Sequence, residues 1–310
     1  MKPSLLILIH LSETSLARIE SAFDITYAPD DASRAAAIAQ HGGTFRAVLT
    51  NGTTGLTEAE IDQMPQVGFV SALGAGYENI AVDHARGRGI AVANGAGTND
   101  NCVADHAFAL LLAVVRDLPQ LDTATRQGAW RDNLPMRPNV SGKRLGILGL
   151  GHIGQKVARR GAGFDMELGY HNRKPREGEQ LRYFDSVTDL AQWCDFLVVT
   201  TVGGAGTKHL VNQAVLEALG PQGFLVNVSR GSVVDTAALA AALNGGQIAG
   251  AALDVYEGEP HAPAGLIGLQ NVVLTPHTAG RSPEAVTAAV DNFLANAERH
   301  FAGEAVLTPV

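Results

Sequence analysis

The chain has 310 residues and a formal net charge of −8. That length is more than one compact core usually serves, so two domains are expected. The acidic balance, without a Lys/Arg cluster, speaks against a nucleic-acid partner, and no apolar window is long enough for a membrane partner to be expected.

The opening apolar run at 5–9 is too short for a secretory leader and lacks a small-residue cleavage site, so it reads as a buried strand of a cytoplasmic protein. Further apolar runs at 47–49, 67–71 and 90–93 alternate with helical patches at 15–21, 32–40 and 58–64. Strands separated by helices predict a parallel sheet. After Asn94-Gly95-Ala96-Gly97 the apolar stretch 103–115 is long enough for a buried helix, and a domain crossing is placed near it. Strands are expected again at 145–148, 167–170, 196–200, 224–228, 250–253 and 272–274. The helical pattern 284–301 is expected to pack back on the first domain. The two cysteines, Cys102 and Cys194, are far apart without metal or redox spacing and read as small core residues in a reducing compartment.

Between the strand at 145–148 and a helical stretch at 155–160 stands Gly149-Leu150-Gly151-His152-Ile153-Gly154. A strand, a GxGxxG turn and a helix in this order form the dinucleotide fingerprint. Gly149 permits the tight turn, Gly151 lets the backbone approach a pyrophosphate, and Gly154 lets the helix lie close to the strand. Amides at His152 and Ile153 then face the anion. An NAD-specific site has an acidic residue about 20 positions further on. Here the strand runs into His171-Asn172-Arg173-Lys174, with no carboxylate and two cations. Asn172, Arg173 and Lys174 are therefore read as cofactor residues that favour NADP(H), with Arg176 as a helper.

Three later strands each end in a loop with a chemically capable residue: Arg230 in Asn227-Val228-Ser229-Arg230-Gly231, Glu259 in Asp254-Val255-Tyr256-Glu257-Gly258-Glu259-Pro260, and His277 in Thr275-Pro276-His277. Such a set suits hydride transfer to a 2-keto acid. Arg230 orients the carboxylate and polarises the keto oxygen, and His277 is the general acid/base. Glu259 favours the imidazolium and fixes its orientation. Asp254, directly after a strand, is a candidate acceptor for the nicotinamide carboxamide, with a structural role as the alternative.

In this order, these four motifs resemble the D-isomer-specific 2-hydroxyacid dehydrogenases over almost the whole chain, and the 171–174 segment resembles their glyoxylate/hydroxypyruvate and hydroxyphenylpyruvate reductase branch. The resemblance assigns the catalytic roles to Arg230, Glu259 and His277. It implies two Rossmann-like or flavodoxin-like parallel-sheet α/β domains, the nucleotide-binding one (99–283) inserted into a discontinuous substrate domain (1–98 and 284–310). It also implies a carboxylate-binding loop at Leu73, Gly74, Ala75 and Gly76, a cofactor contact at Thr207, and a homodimer in which Trp130 reaches toward the partner. Asn51 is a further candidate substrate contact. Two departures stand out: Asp100 where many relatives have threonine, and Val202-Gly203-Gly204 in place of a proline-bearing turn. The expected activity is NADPH-dependent reduction of hydroxypyruvate or glyoxylate to the D-2-hydroxy acid. The alternatives are an aromatic hydroxyphenylpyruvate-type substrate, or a nucleotide-sensing corepressor-like binding protein.

Overall fold

A computed structural model describes residues 2–310. The chain divides into two compact units, one built from residues up to Asn99 together with Arg281–Val310, the other from Asp100–Gly280. These crossings, at 99/100 and 280/281, fall one residue later and three residues earlier than the sequence places them, at 98/99 and 283/284.

The first unit has five parallel strands, β1 (Ser4–Ile7), β2 (Asp24–Tyr27), β3 (Ala47–Thr50), β4 (Phe69–Ala72) and β5 (Ala91–Ala93), in the order β2-β1-β3-β4-β5. Central strands β3 and β4 are wholly buried, as apolar runs covered on both faces should be. Edge strand β2, with its partly exposed DITY sequence, has no apolar run, and the sequence reading passes over it. Helices α1 (Glu13–Glu20), α2 (Asp31–His41) and α3 (Glu58–Asp62) start on side-chain caps from Ser12, Asp30 and Thr57. α4 (Val82–Gly87) precedes β5. The C-terminal helix Pro283–Phe301, capped by Ser282, sets Val290, Phe293 and Ala297 into the core around Leu5, Ile7 and Phe69. It thus returns to the first sheet.

In the second unit α5 (Asp100–Arg116) and α6 (Leu118–Arg126) lead to β6 (Arg144–Leu148) and α7 (His152–Ala162). There follow β7 (Glu167–His171), β8 (Arg182–Tyr183), α8 (Val187–Trp193), β9 (Phe196–Val199), α9 (Gln213–Leu219), β10 (Phe224–Asn227), α10 (Thr236–Asn244), β11 (Gly250–Leu253) and β12 (Val272–Leu274). All seven strands are parallel, ordered β12-β11-β10-β9-β6-β7-β8. The chain winds outward from β6 through β7, then restarts at β9 on the other side. This reversal is a topological switch point, where a doubly wound sheet opens a ligand crevice at its carboxyl ends. The expected fold class therefore holds. Among the described residues no helix is long and apolar enough to cross a membrane.

Within the first unit, fully buried Asn296 ties down the C-terminal tail: Oδ1 accepts the Leu307 and Thr308 amides at 2.8 and 3.2 Å, and Nδ2 donates to Asn292 O and Thr308 Oγ1. Asn296→Ala leaves those amides without their acceptor and is expected to cost about 2–4 kcal/mol. A urea melt checks this: the midpoint should fall with little change in slope.

Candidate active site

The glycine turn follows from steric need. Gly149 has φ +104°, and a Cβ there would lie 2.6 Å from the Thr201 backbone. At Gly154 a Cβ would come within 2.3 Å of the Gly149 carbonyl oxygen, so α7 could not lie so close to β6. Nothing stands within 4 Å of the Cβ position of Gly151, which leaves open space over the turn. α7 begins at His152 without a side-chain cap on Gly151, so its first amides are not engaged by a capping side chain. Open space above uncapped helix amides fits a dinucleotide pyrophosphate.

Asn172 braces the turn, its Oδ1 accepting the Leu150 amide at 2.7 Å. Arg173 and Lys174 are exposed beyond β7. Arg176, read from the sequence as only a helper, reaches the turn itself, its Nη1 donating to Leu150 O at 3.0 Å while its own amide donates to the Tyr170 hydroxyl. The cationic end of β7 thus includes a guanidinium fixed beside the glycine loop. Asp100, nearly buried at the first turn of α5, lies 3.7 Å from His152 Nδ1.

On the other side of the switch point, β10, β11 and β12 deliver the three expected catalytic side chains. Asn227, fully buried, accepts the Ser229 amide and hydroxyl and donates to Arg230 O at 3.0 Å, which shapes the loop that presents Arg230. Gly203 lies against this arginine, since a Cβ there would sit 2.7 Å from Arg230 Cγ. The Val202-Gly203-Gly204 departure therefore makes room for the Arg230 stem. Thr207 closes its own short turn by donating to Gly204 O at 3.1 Å.

His277 Nδ1 lies 2.7 Å from Glu259 Oε2, and Glu259 Oε1 accepts the Tyr256 amide at 2.8 Å. Burial acts to raise the Glu259 carboxyl, but hydrogen bonds from His277 and Tyr256, with the charges of His277 and Arg230, outweigh it and hold the group below its ordinary range. His277 has a left-handed backbone, φ +51°, uncommon for a non-glycine residue and held by its amide donating to Asp254 O at 2.8 Å. With Nδ1 engaged by the carboxylate, Nε2 is the nitrogen left to exchange a proton.

Asp254 is fully buried and its carboxylate accepts Thr275 Oγ1 at 2.6 Å and the Thr278 and Ala279 amides at 2.9 Å. It anchors the loop that carries His277. His106 of α5 joins this group through Thr275 Oγ1 at 2.9 Å. Tyr256 donates to Leu253 O and Thr275 O, and its phenol is pushed up to about 12 by burial and by the charges of Asp254 and Glu259. It remains a neutral donor that staples the ends of β11 and β12.

In the first unit Leu73, Gly74, Ala75 and Gly76 form the loop after β4. Asn94 holds it, with Nδ2 donating to Ala75 O at 2.7 Å, and the Gly95 amide donates to Gly74 O at 2.8 Å. The sequence reading has no signal for Asn94, whose role depends on the neighbouring strand β5 lying beside β4. Asn51 uses its own Oδ1 to accept the Thr54 amide at 2.7 Å. Cys194 is buried, its thiol pushed up to about 12 chiefly by that burial, while Cys102 donates to Ala279 O. Among the described residues no cluster of three His, Cys, Asp or Glu side chains could hold a metal ion.

Comparison with known proteins agrees with this geometry. Residues 108–279 match the model of the D-isomer specific 2-hydroxyacid dehydrogenase NAD binding domain. The chain is 38% identical over 271 residues to the glyoxylate/hydroxypyruvate reductase A of Arabidopsis thaliana, covering 87% of each chain. It is 38% identical over 274 residues to the hydroxyphenylpyruvate reductase of Plectranthus scutellarioides, covering 88% of each. Among solved structures, the NADPH-dependent glyoxylate/hydroxypyruvate reductase of Sinorhizobium meliloti in complex with NADP and malonate superposes with a TM-score of 0.92 at 37% identity, over 100% of this chain and 97% of that one. With the glycine turn and the strand-end loops of Arg230, Glu259 and His277 already in place, these matches show that the chain belongs to the D-isomer-specific 2-hydroxyacid dehydrogenases.

Proposed function

We propose that this protein reduces a small 2-keto acid of the glyoxylate or hydroxypyruvate type to the D-2-hydroxy acid with NADPH. The observation that carries the reading is the 2.7 Å contact between His277 Nδ1 and Glu259 Oε2, which leaves Nε2 for proton transfer. Arg230 has the planar fork that suits a carboxylate beside a keto oxygen. The loop at 73–76 of the first unit is, by itself, a candidate carboxylate-binding loop through its backbone amides. NADPH, when bound, would supply the hydride for the keto carbon. His277 Nε2 gives its proton to the oxygen as the carbonyl becomes an alcohol, and Glu259 stabilises the imidazolium before that transfer. In the reverse direction neutral His277 takes the proton back.

Amides of His152, Ile153 and Gly154 would face the pyrophosphate across Gly151, with Thr207 nearby. Asp254, fully buried and engaged by Thr275, Thr278 and Ala279, takes the structural role that the sequence left as its alternative. Arg173, Lys174 and Arg176 favour a 2′-phosphate, and the Sinorhizobium meliloti neighbour is NADPH-dependent. We further place the protein in the cytoplasm, consistent with two unpaired cysteines. A homodimer formed through the second unit is part of the reading, supported by the exposed apolar Leu118, Trp130 and Met136. An aromatic substrate is the second reading, favoured by the relative that is a hydroxyphenylpyruvate reductase.

Oxidation of NADPH and NADH, measured separately against glyoxylate, hydroxypyruvate, pyruvate and hydroxyphenylpyruvate, tests the reading. Fast turnover is expected with NADPH and a small keto acid; tight nucleotide binding with no turnover would instead favour a sensing role. His277→Asn should lower kcat by about two to four powers of ten while NADPH affinity, followed by fluorescence, stays nearly unchanged. Arg173→Ala should weaken NADPH binding selectively, and equal losses for NADH would contradict phosphate recognition there.

The pH dependence has a definite sign. Glu259 is held below its ordinary range, so its carboxylate contact with His277 Nδ1 persists at neutral pH and is lost only as pH falls through that lowered range. Turnover should therefore hold at neutral pH and drop on the acid side. Single-turnover rates across the range check this, and a rate that stays unchanged through the acid range would contradict the role of Glu259.

A further inference from the structure

A second group of titratable side chains sits on the loops after β9, β10 and β11 and has no part in the proton transfer above. His209, in the loop after β9, has a left-handed backbone at φ +51°. Its Nε2 lies 2.8 Å from Glu257 Oε1 and its Nδ1 3.8 Å from Asp235 Oδ2. The other oxygen of Glu257 accepts the amide of Thr236, the first residue of α10, at 3.0 Å. Burial acts to raise the Glu257 carboxyl, but the bonds from His209 and Thr236 outweigh it and keep the group below its ordinary range. One carboxylate therefore joins three loops.

The first two loops are already laced together by backbone bonds, His209 N to Ser232 O at 2.9 Å, and Val211 N to Val233 O and Asp235 N to Val211 O at 3.0 Å. Glu257 adds the third loop to that frame. Gly231 shows how close the fit is, for a Cβ there would lie 1.9 Å from the Tyr256 carbonyl carbon. On the far side of Glu257 the chain passes through Gly258, φ +82°, whose Cβ position has no atom within 4 Å, and reaches Glu259. A glycine with nothing packed on it resists rotation weakly. The position of Glu259 then depends on how the residues on either side of that glycine are tied.

We propose that Glu257, held by His209 and the Thr236 amide, is a positioning residue that fixes the 256–259 turn, so that Glu259 holds His277 Nδ1 and leaves Nε2 as the working nitrogen. This rests on the proton-transfer reading above and deepens it. Misplacing a catalytic partner by about 1 Å can cost on the order of a hundredfold in rate, so a charged tether two residues away has a large lever.

The tautomer of His277 reports the effect without substrate or cofactor. In protein labelled with ring ¹⁵N-histidine and held at alkaline pH, the His277 signals, identified by their loss in His277→Asn, should show the Nδ1–H form. Both Glu259→Ala and Glu257→Ala should move the ring toward the Nε2–H form. Glu257→Ala should also lower kcat by about tenfold or more, with NADPH affinity changed by less than about twofold. A wild-type tautomer in Glu257→Ala, with Glu259→Ala shifted, overturns the proposal; an unshifted ring in Glu259→Ala overturns the proton-transfer reading instead. Should Glu257→Ala fail to fold, the histidine side gives the same test. His209→Ala should shift the tautomer and His209→Gln, whose amide still donates to Glu257, should restore it, whereas wild-type signals in both would overturn the proposal.

Discussion

The carboxylate of Asp254 is fully shielded from solvent, and the end of the second sheet is organised around its need for donors. A buried charge is costly unless hydrogen bonds surround it. Here the donors come from the segment just beyond β12: the Thr275 hydroxyl and the Thr278 and Ala279 amides. Moving that segment would strand the charge, so the loop is pinned at both ends with His277 in the middle. The His277 amide adds a bond to the Asp254 carbonyl. The place and backbone conformation of the histidine therefore follow from an electrostatic obligation of its neighbour, and the contact with Glu259 is built on that foundation.

The two halves of the crevice in the second unit use different means. Around the glycine turn the protein removes side chains so that backbone can approach backbone, and it braces the carbonyl and amide of the buried Leu150 with Arg176 and Asn172. Around Arg230, Glu259 and His277 it fills the loops with polar side chains that bond to one another. The first arrangement suits a ligand held by the main chain, the second a reaction that needs side chains in fixed orientations.

What the sequence reveals follows the same division. The glycine turn is legible because each glycine answers a steric demand that no other residue meets. The group of Arg230, Glu259 and His277 is legible because each member follows an apolar run of the same sheet. Edge strands β2 and β8 are not legible, since DITY and RY carry no continuous apolar signal. α10 is missed for a different reason, as the alanine-rich TAALAAALN has little contrast between its faces. Asn94, His106 and His209 escape because their partners are distant in sequence and only the strand order brings them together. Arg176 is undervalued because a guanidinium in a loop looks like solvated charge until the carbonyl it donates to is known.

The left-handed backbone at His277 has a consequence for how substitutions there are interpreted. Asparagine and aspartate tolerate this region better than other non-glycine residues, while β-branched side chains are strongly disfavoured in it. A full set of replacements at 277 would thus sort along two axes at once, one chemical and one conformational. Valine or isoleucine would unsettle the loop and with it the donors around Asp254, and lost turnover in those variants would report damaged architecture together with missing chemistry. Asparagine keeps the backbone at ease and isolates the imidazole as the variable.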